Sequence, residues 1–263
     1  IRPNRLLVMD ASGDTIDLPG TETIEPTFGL PAMWVDPDNR EEATFKGYTV
    51  VDPATVITTH LTELIRDNMS ELLSYVETQN LLDELPNEHQ KLVGEVVPNQ
   101  ISVGGIQRVL QNLLNERVSI RDLPTILEGI SEACAFTRNV TQITEHVRSR
   151  LARQISEQNS TEDNFIPLVT LSAEWEQIFS DSILDQGEDK QLSMAPSQLQ
   201  RFIGAVRTTL DELADIEDPP VVLTSPLARP FVRSIIERFR PATSIMSQNE
   251  LHPKAKIKTL GQI

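Results

Sequence analysis

At 263 residues, with 39% hydrophobic and 24% charged side chains, the chain has an ordinary globular composition and is long enough for more than one folding unit. Its formal charge of −16 argues against nucleic acid and anionic lipid as general partners, because binding either relies on Lys and Arg displacing counterions. The single cysteine, Cys134, excludes an internal disulfide and points to a reducing compartment.

The charge is uneven. Residues 1–98 carry 6 basic and 18 acidic side chains, 99–155 carry 7 and 5, and 156–263 carry 10 and 16. The three N-x-S/T sequons, at Asn68, Asn139 and Asn159, read as coincidence in a reducing compartment. No run approaches the roughly eighteen apolar residues of a membrane-spanning helix, and IRPNRLLVMD lacks a signal-peptide plan, so the chain as it stands is expected not to span a membrane.

In chain order, residues 1–52 read as a small α/β unit. RLLVMD, AMWVD and GYTVVD have strand composition, Arg40 to Lys46 suits a short helix, and acidic, Gly- and Pro-punctuated loops separate them. Asp52 followed by Pro53 is a helix start. From there Ile57, Leu61, Leu64, Ile65, Leu72, Leu73 and Val76 recur at helical steps, which predicts one buried stripe from about 53 to 85 with a possible break near Asn68. Thr55, Thr59, Thr62 and Arg66 fall on the opposite, polar side.

Three further amphipathic patterns begin at Val103, Leu123 and Val140, so 73–155 is expected to be an all-helical module. SEQNSTEDN, from Ser156 to Asn164, is a polar linker. Beyond it, strands at FIPLVTLS, PPVVLTS and ATSIMS alternate with helices over Ala173–Leu184, Pro196–Ile216 and Pro230–Arg240, a βαβ pattern with parallel crossovers as the default. KAKIKTLGQI alternates as an added strand with Lys254, Lys256 and Lys258 on one side. The fold class is therefore α+β with several subdomains: 1–52, a linking helix over 53–72, the helical module 73–155, and a C-terminal α/β part over 156–263.

Catalytic signatures are missing: there is no H-E-x-x-H, paired cysteine ligands, G-x-S-x-G, Walker A or G-x-G-x-x-G. His60, His89, His146 and His252 stand singly, without metal-ligand spacing. DPDNREE opens like a calcium loop, but Arg40 replaces an oxygen ligand and the turn glycine is missing. Cys134 shares a helical face with Leu123, Leu127 and Ile130 and reads as packing, and Gly104–Gly105 as close helix contact before anion binding. Neither an enzyme, a metal nor a cofactor is expected, although a hydrolase with an unrecognised carboxylate pair is a rival reading. A second rival is a helix-turn-helix transcription regulator using residues 103–130, the section that is not acidic; its second helix, however, offers Asp122 and Glu128 where base-reading side chains belong.

Four segments, TFGLPAMWV, GYTVVDPATVITTHLTELI, QRVLQNLLNERVSIRDLPTILEGISE and LTSPLARPFVR, occur in this order between Arg5 and Leu251. Together they closely resemble the cytoplasmic domain of the FlhA family (FHIPEP/LcrD-like), the large membrane protein of the flagellar type III export apparatus, whose relatives serve virulence injectisomes. VLQNLLNERVSIRD favours the flagellar branch, with an injectisome export gate as the alternative. The resemblance implies a non-enzymatic platform at the cytoplasmic face of the bacterial inner membrane. Such a platform assembles as a nonameric ring, meets other export proteins and docks export chaperones carrying substrates. It also implies that 1–52 match the second of four subdomains, that 53–72 return to a first subdomain largely missing here, and that the chain is truncated.

The resemblance further assigns a docking dimple to an acid and a phenylalanine in a D-P-x-F-G-L-P segment and to the threonine before the histidine of T-H-L. Here those positions are Glu25, Phe28 and Thr59, with Glu standing where the family has Asp. From the residues alone, Phe28, Met33 and Trp34 are all core candidates. The resemblance moves Phe28 to the surface, and leaves Met33 and Trp34 in the core.

Overall fold

A computed structural model describes residues 1–10, 15–187, 189–214, 216 and 218–263. The chain divides into two compact units, Ile1–Leu72 and Leu73–Ile263.

In the first unit, β1 (Leu6–Met9), β2 (Gly20–Ile24), β3 (Pro31–Val35) and β4 (Thr49–Val51) form an antiparallel sheet in the order β2-β3-β1-β4. Residues 36–42, the calcium-loop candidate, are a turn capped by Asp36 leading into α1 (Arg40–Phe45). β2, GTETI, was expected to be loop; it forms because pairing with β3 supplies the backbone bonds that its exposed alternating side chains do not advertise. Alternation in β3 sends Met33 to a cluster with Leu6, Val8, Ile16, Leu18, Val35 and Ala43, and Trp34 to the other face with Leu7, Ala32 and Val56.

Val56 belongs to α2 (Pro53–Asp67), which starts as expected, with the Asp52 carboxylate accepting the Thr55 N–H at 2.9 Å. Of the seven residues of the expected buried stripe only Leu73 is buried. Ile57, Leu61, Leu64 and Ile65 are between 46% and 54% exposed, and Val56 is the one buried residue of the helix. The half-buried positions are Pro53, Thr59, His60 and Glu63, which share the face of Val56. Thus α2 lays its more polar side toward the sheet and turns its apolar side away. The helical stretch also breaks twice, into α2, α3 (Met69–Leu72) and α4 (Tyr75–Asp83), the last capped by Ser74; Leu72 and Val76 are exposed.

The second unit opens with α4, α5 (Asn87–Val96), α6 (Val103–Asn115), α7 (Leu123–Ala133), α8 (Val140–Arg150) and α9 (Ala152–Gln158). Ser102, Asp122 and Asn139 each cap the helix that follows them. A Cβ on Gly105 would stand 2.4 Å from a side-chain carbon of Ile101, so this glycine is there for close packing. The last helical pattern is two helices, broken at Leu151, and α9 takes in the beginning of the expected linker, with Ser156 buried.

A parallel sheet follows, in the order β10-β5-β8-β9: β5 (Phe165–Thr170), β8 (Val221–Thr224), β9 (Ile245–Ser247) and β10 (Lys256–Gln262). Between β5 and β8 lie α10 (Ala173–Ser182), an antiparallel hairpin of β6 (Ile183–Gln186) and β7 (Asp189–Leu192), and α11 (Pro196–Glu212); α12 (Arg229–Ile236) joins β8 to β9. The hairpin replaces the helical end expected up to Leu184. Edge-to-face contacts of Phe202 with Trp175 and Phe179, centroids 5.1 and 5.0 Å apart, centre the core of the sheet part.

Helical and sheet parts are braced by buried charge. Arg229 of α12 binds Glu116 after α6 and Glu145 of α8, while Arg148 of α8 binds Glu250 beside β9. Burial alone would raise the Glu116 carboxyl, but Arg229 and Arg148 outweigh it and hold the pKa below the usual range. For Glu145 burial wins, and its pKa is raised.

Candidate functional site

The segment between β2 and β3 is a tight turn closed by Glu25 and Leu30, with the Glu25 N–H donating to Leu30 O at 2.8 Å and the Gly29 N–H to Glu25 O at 3.1 Å. Gly29 has φ +71, a conformation that favours glycine. The Glu25 carboxylate folds back over the turn, and its Oε2 accepts the N–H groups of Thr27 at 2.9 Å and Phe28 at 2.6 Å. Glu25 is 4% exposed, and Phe28, three residues on, is 66% exposed.

This arrangement divides the labour between the two residues. The buried carboxylate satisfies backbone donors that the turn leaves free, and so fixes the backbone that carries the aromatic ring. Burial by itself would raise the Glu25 pKa, but the bonds from Phe28 and Thr27 and the nearby His60 together hold it below the ordinary carboxylate range. Ile24 and Leu30, at the two ends of the turn, are 69% and 40% exposed, so the turn carries further exposed apolar side chains besides Phe28.

Thr59 lies on α2, half-buried on the side of Val56 and next to His60. Val56, one turn before them on the same helix, packs on Ala32 and Trp34 of β3, the strand that leaves the turn. Sequence periodicity assigned Thr59 to a free polar face; in the structure it lies on the packed one, because Val56, Thr59, His60 and Glu63 fall on one side at helical spacing. Met33 and Trp34 are core, at 8% and 6% exposure.

Elsewhere, Cys134 is buried and burial raises its pKa, as suits an inert packing thiol. Among the described residues no group of His, Cys, Asp or Glu could hold a metal ion, and no helix is long and apolar enough to cross a membrane. The helix-turn-helix candidate is α6 and α7, but α7 buries Leu123, Ile126, Leu127 and Ile130. Its Glu128 and Glu132 are paired with Arg150 and His146, so it presents acids where a reading helix needs donors and amides. A cavity of about 520 Å³ lies at the start of β8 and β9 and is lined by Pro167, Leu210, Pro220 and Arg240 among others.

The profile of the FHIPEP family matches residues 1–256. The chain belongs to the FHIPEP family. Among its relatives, the flagellar biosynthesis protein FlhA of Caulobacter vibrioides is 55% identical over 263 residues, which is 100% of this chain and 38% of that protein. The chain therefore spans well under half the length of such FHIPEP relatives. A solved structure of the Chlamydia pneumoniae CdsV protein superposes with TM-score 0.86 at 28% identity, covering 100% of this chain and 76% of that one. The cryo-EM structure of nonameric EPEC SctV-C shares the fold, with TM-score 0.77 at 23% identity and coverage of 100% and 79%. The mixed α+β architecture of several sheets and a helical module is thus the fold of the CdsV and SctV-C structures.

Proposed function

We propose that this chain is a non-enzymatic docking platform of a flagellar type III export gate, at the cytoplasmic face of the bacterial inner membrane. It binds export chaperones with their substrates through Phe28, and so helps to order export. One observation carries this reading: Phe28 is 66% exposed on a turn whose backbone is held by the buried Glu25 carboxylate. A pre-ordered, desolvatable aromatic is the usual anchor of a binding hot spot, since little ordering entropy remains to be lost when a partner covers it. Thr59 serves as a polar rim, and Glu25 acts by positioning Phe28 rather than by touching the partner.

The identity of 55% to a flagellar relative, against 28% to CdsV, supports the flagellar branch. The outward stripe of α2 (Ile57, Leu61, Leu64 and Ile65) is then the seat of the first subdomain that the family resemblance implies. A nonameric ring is proposed for the intact protein by likeness to EPEC SctV-C.

Titrating a flagellar chaperone–substrate complex against the chain tests the site. Phe28→Ala is expected to weaken binding by about 2–4 kcal/mol, Thr59→Ala by less, and Lys91→Glu not at all. Unchanged affinity in a folded Phe28→Ala protein would remove Phe28 from the interface.

A further inference from the structure

In a chain of net charge −16, the lysines of the C-terminal strand stand apart. β10 is the outermost strand of the parallel sheet, paired with β5 alone among the described residues. Lys256, Ile257, Lys258 and Thr259 are all exposed, Ile257 at 54%. The first half of the strand is therefore open on both faces as well as along its free edge. Such an edge leaves alternate backbone N–H and C=O groups without protein partners.

Charge is ordered along this edge. Lys256 and Lys258 share one face, and the Lys258 ammonium sits 5.1 Å from the centroid of the Phe165 ring of β5. At the entry to the strand a cleft of about 410 Å³ is lined by Arg153, Glu157, His252, Lys254 and Lys256 among others. Glu157 is engaged by Arg153 at 2.9 Å. Lys254, Lys256 and Lys258 form no ion pair with any described carboxylate.

We propose that the free edge of β10 docks an extended acidic segment of a partner protein. The segment adds to the sheet as a fifth strand, bonding the open backbone groups of residues 256–259. Its carboxylates recur at every second residue and lie beside Lys256 and Lys258, while Lys254, in the turn just before the strand, adds positive charge at its entry. Side chains on one face of adjacent strands repeat at this two-residue spacing, so alternating acids match the lysines in register. The same lysines deter a neutral or basic strand, which gives the edge its selectivity. Nucleic acid and anionic lipid fit less well, because neither uses a row of backbone donors and acceptors and both meet a strongly acidic chain.

Fluorescence anisotropy with a labelled synthetic peptide alternating glutamate and threonine tests the proposal. Saturable binding that weakens with salt is expected, with perturbation of the 256–260 amide signals. The triple variants K254Q/K256Q/K258Q and K254E/K256E/K258E are expected to lose roughly tenfold or more in affinity, while Lys91→Glu, an exposed lysine elsewhere, leaves it unchanged. The same peptide N-methylated at alternate residues keeps its charge but cannot complete the edge bonds, and is expected to bind as weakly as the lysine variants. Absence of saturation, equal binding by the N-methylated peptide, or tighter binding to phosphatidylserine vesicles or single-stranded DNA at physiological salt would each overturn it.

Discussion

Arg229 and Glu116 meet in a two-bonded guanidinium–carboxylate pair, Nη1 to Oε2 at 2.7 Å and Nη2 to Oε1 at 3.0 Å. The pair crosses from the start of α12 to the end of α6, and Arg229 also holds Glu145 through Nε at 2.5 Å. Arg148 crosses the other way to Glu250, again at 2.5 Å. Removing Arg229 leaves the buried Glu250 and the half-buried Glu116 and Glu145 facing Arg148, with Arg233 acting on Glu116 as well. Arg229→Met is therefore expected to destabilise the second unit by about 3–5 kcal/mol. Arg229→Lys, which keeps the charge and loses the fork, should cost less. Urea melts compare the three, and a Met variant with the parent's midpoint would show that the brace contributes little.

Glu25 makes the first unit sensitive to acid. Its folded pKa lies below its unfolded value, so the unfolded chain takes up the proton at the higher pH. The stabilisation is complete above the ordinary carboxylate range and is lost as pH falls through the folded pKa. Glu25→Gln is expected to flatten the acid limb of a thermal-melt pH profile in the first unit. A profile that keeps its slope would place the acid sensitivity elsewhere.

Gly29 is a backbone requirement of the same turn. A Cβ there would meet no atom within 4 Å, so crowding is not the obstacle; φ +71 is. Gly29→Ala is expected to cost about 1 kcal/mol, and Gly29→Asn less, because Asn tolerates the left-handed region. Chemical denaturation measures both, and equal losses would point to some other role for the glycine.

The reversed orientation of α2 yields opposite outcomes on its two faces. Val56→Ala removes buried methyl groups packed against Leu7, Ala32 and Trp34, and is expected to cost about 2 kcal/mol. Leu61→Ser, at a position 54% exposed, is expected to change the stability of this chain by under about 0.5 kcal/mol. A large loss at Leu61 would mean that its stripe is already covered.

Local signals announced much of this architecture. Asp52-Pro53, Ser102, Asp122 and Asn139 mark helix starts that the structure keeps, because a cap needs only its own next few residues. The apolar runs of β1, β3 and β5 were equally plain. β2 and the β6–β7 hairpin escaped notice because they are polar edge elements, held mainly by backbone bonds to a neighbouring strand. The brace of Arg148, Arg229 and three glutamates was invisible as well, since its members lie up to 134 positions apart.

What the amino-acid order determined by itself was which residues share a face and where each element starts, for both follow from local geometry at 3.6- or two-residue spacing. The four segments that carry the FHIPEP likeness are also of this kind. What only the tertiary structure decided was which face meets a neighbour. It bared Ile57, Leu61 and Leu64 and turned Thr59 inward, and it sank Glu25 while raising Phe28. The physical reason is that exposure belongs to a pair of surfaces rather than to a sequence. A stripe of leucines states that something apolar must cover it, and the identity of the cover is set by residues elsewhere in the fold or by another protein.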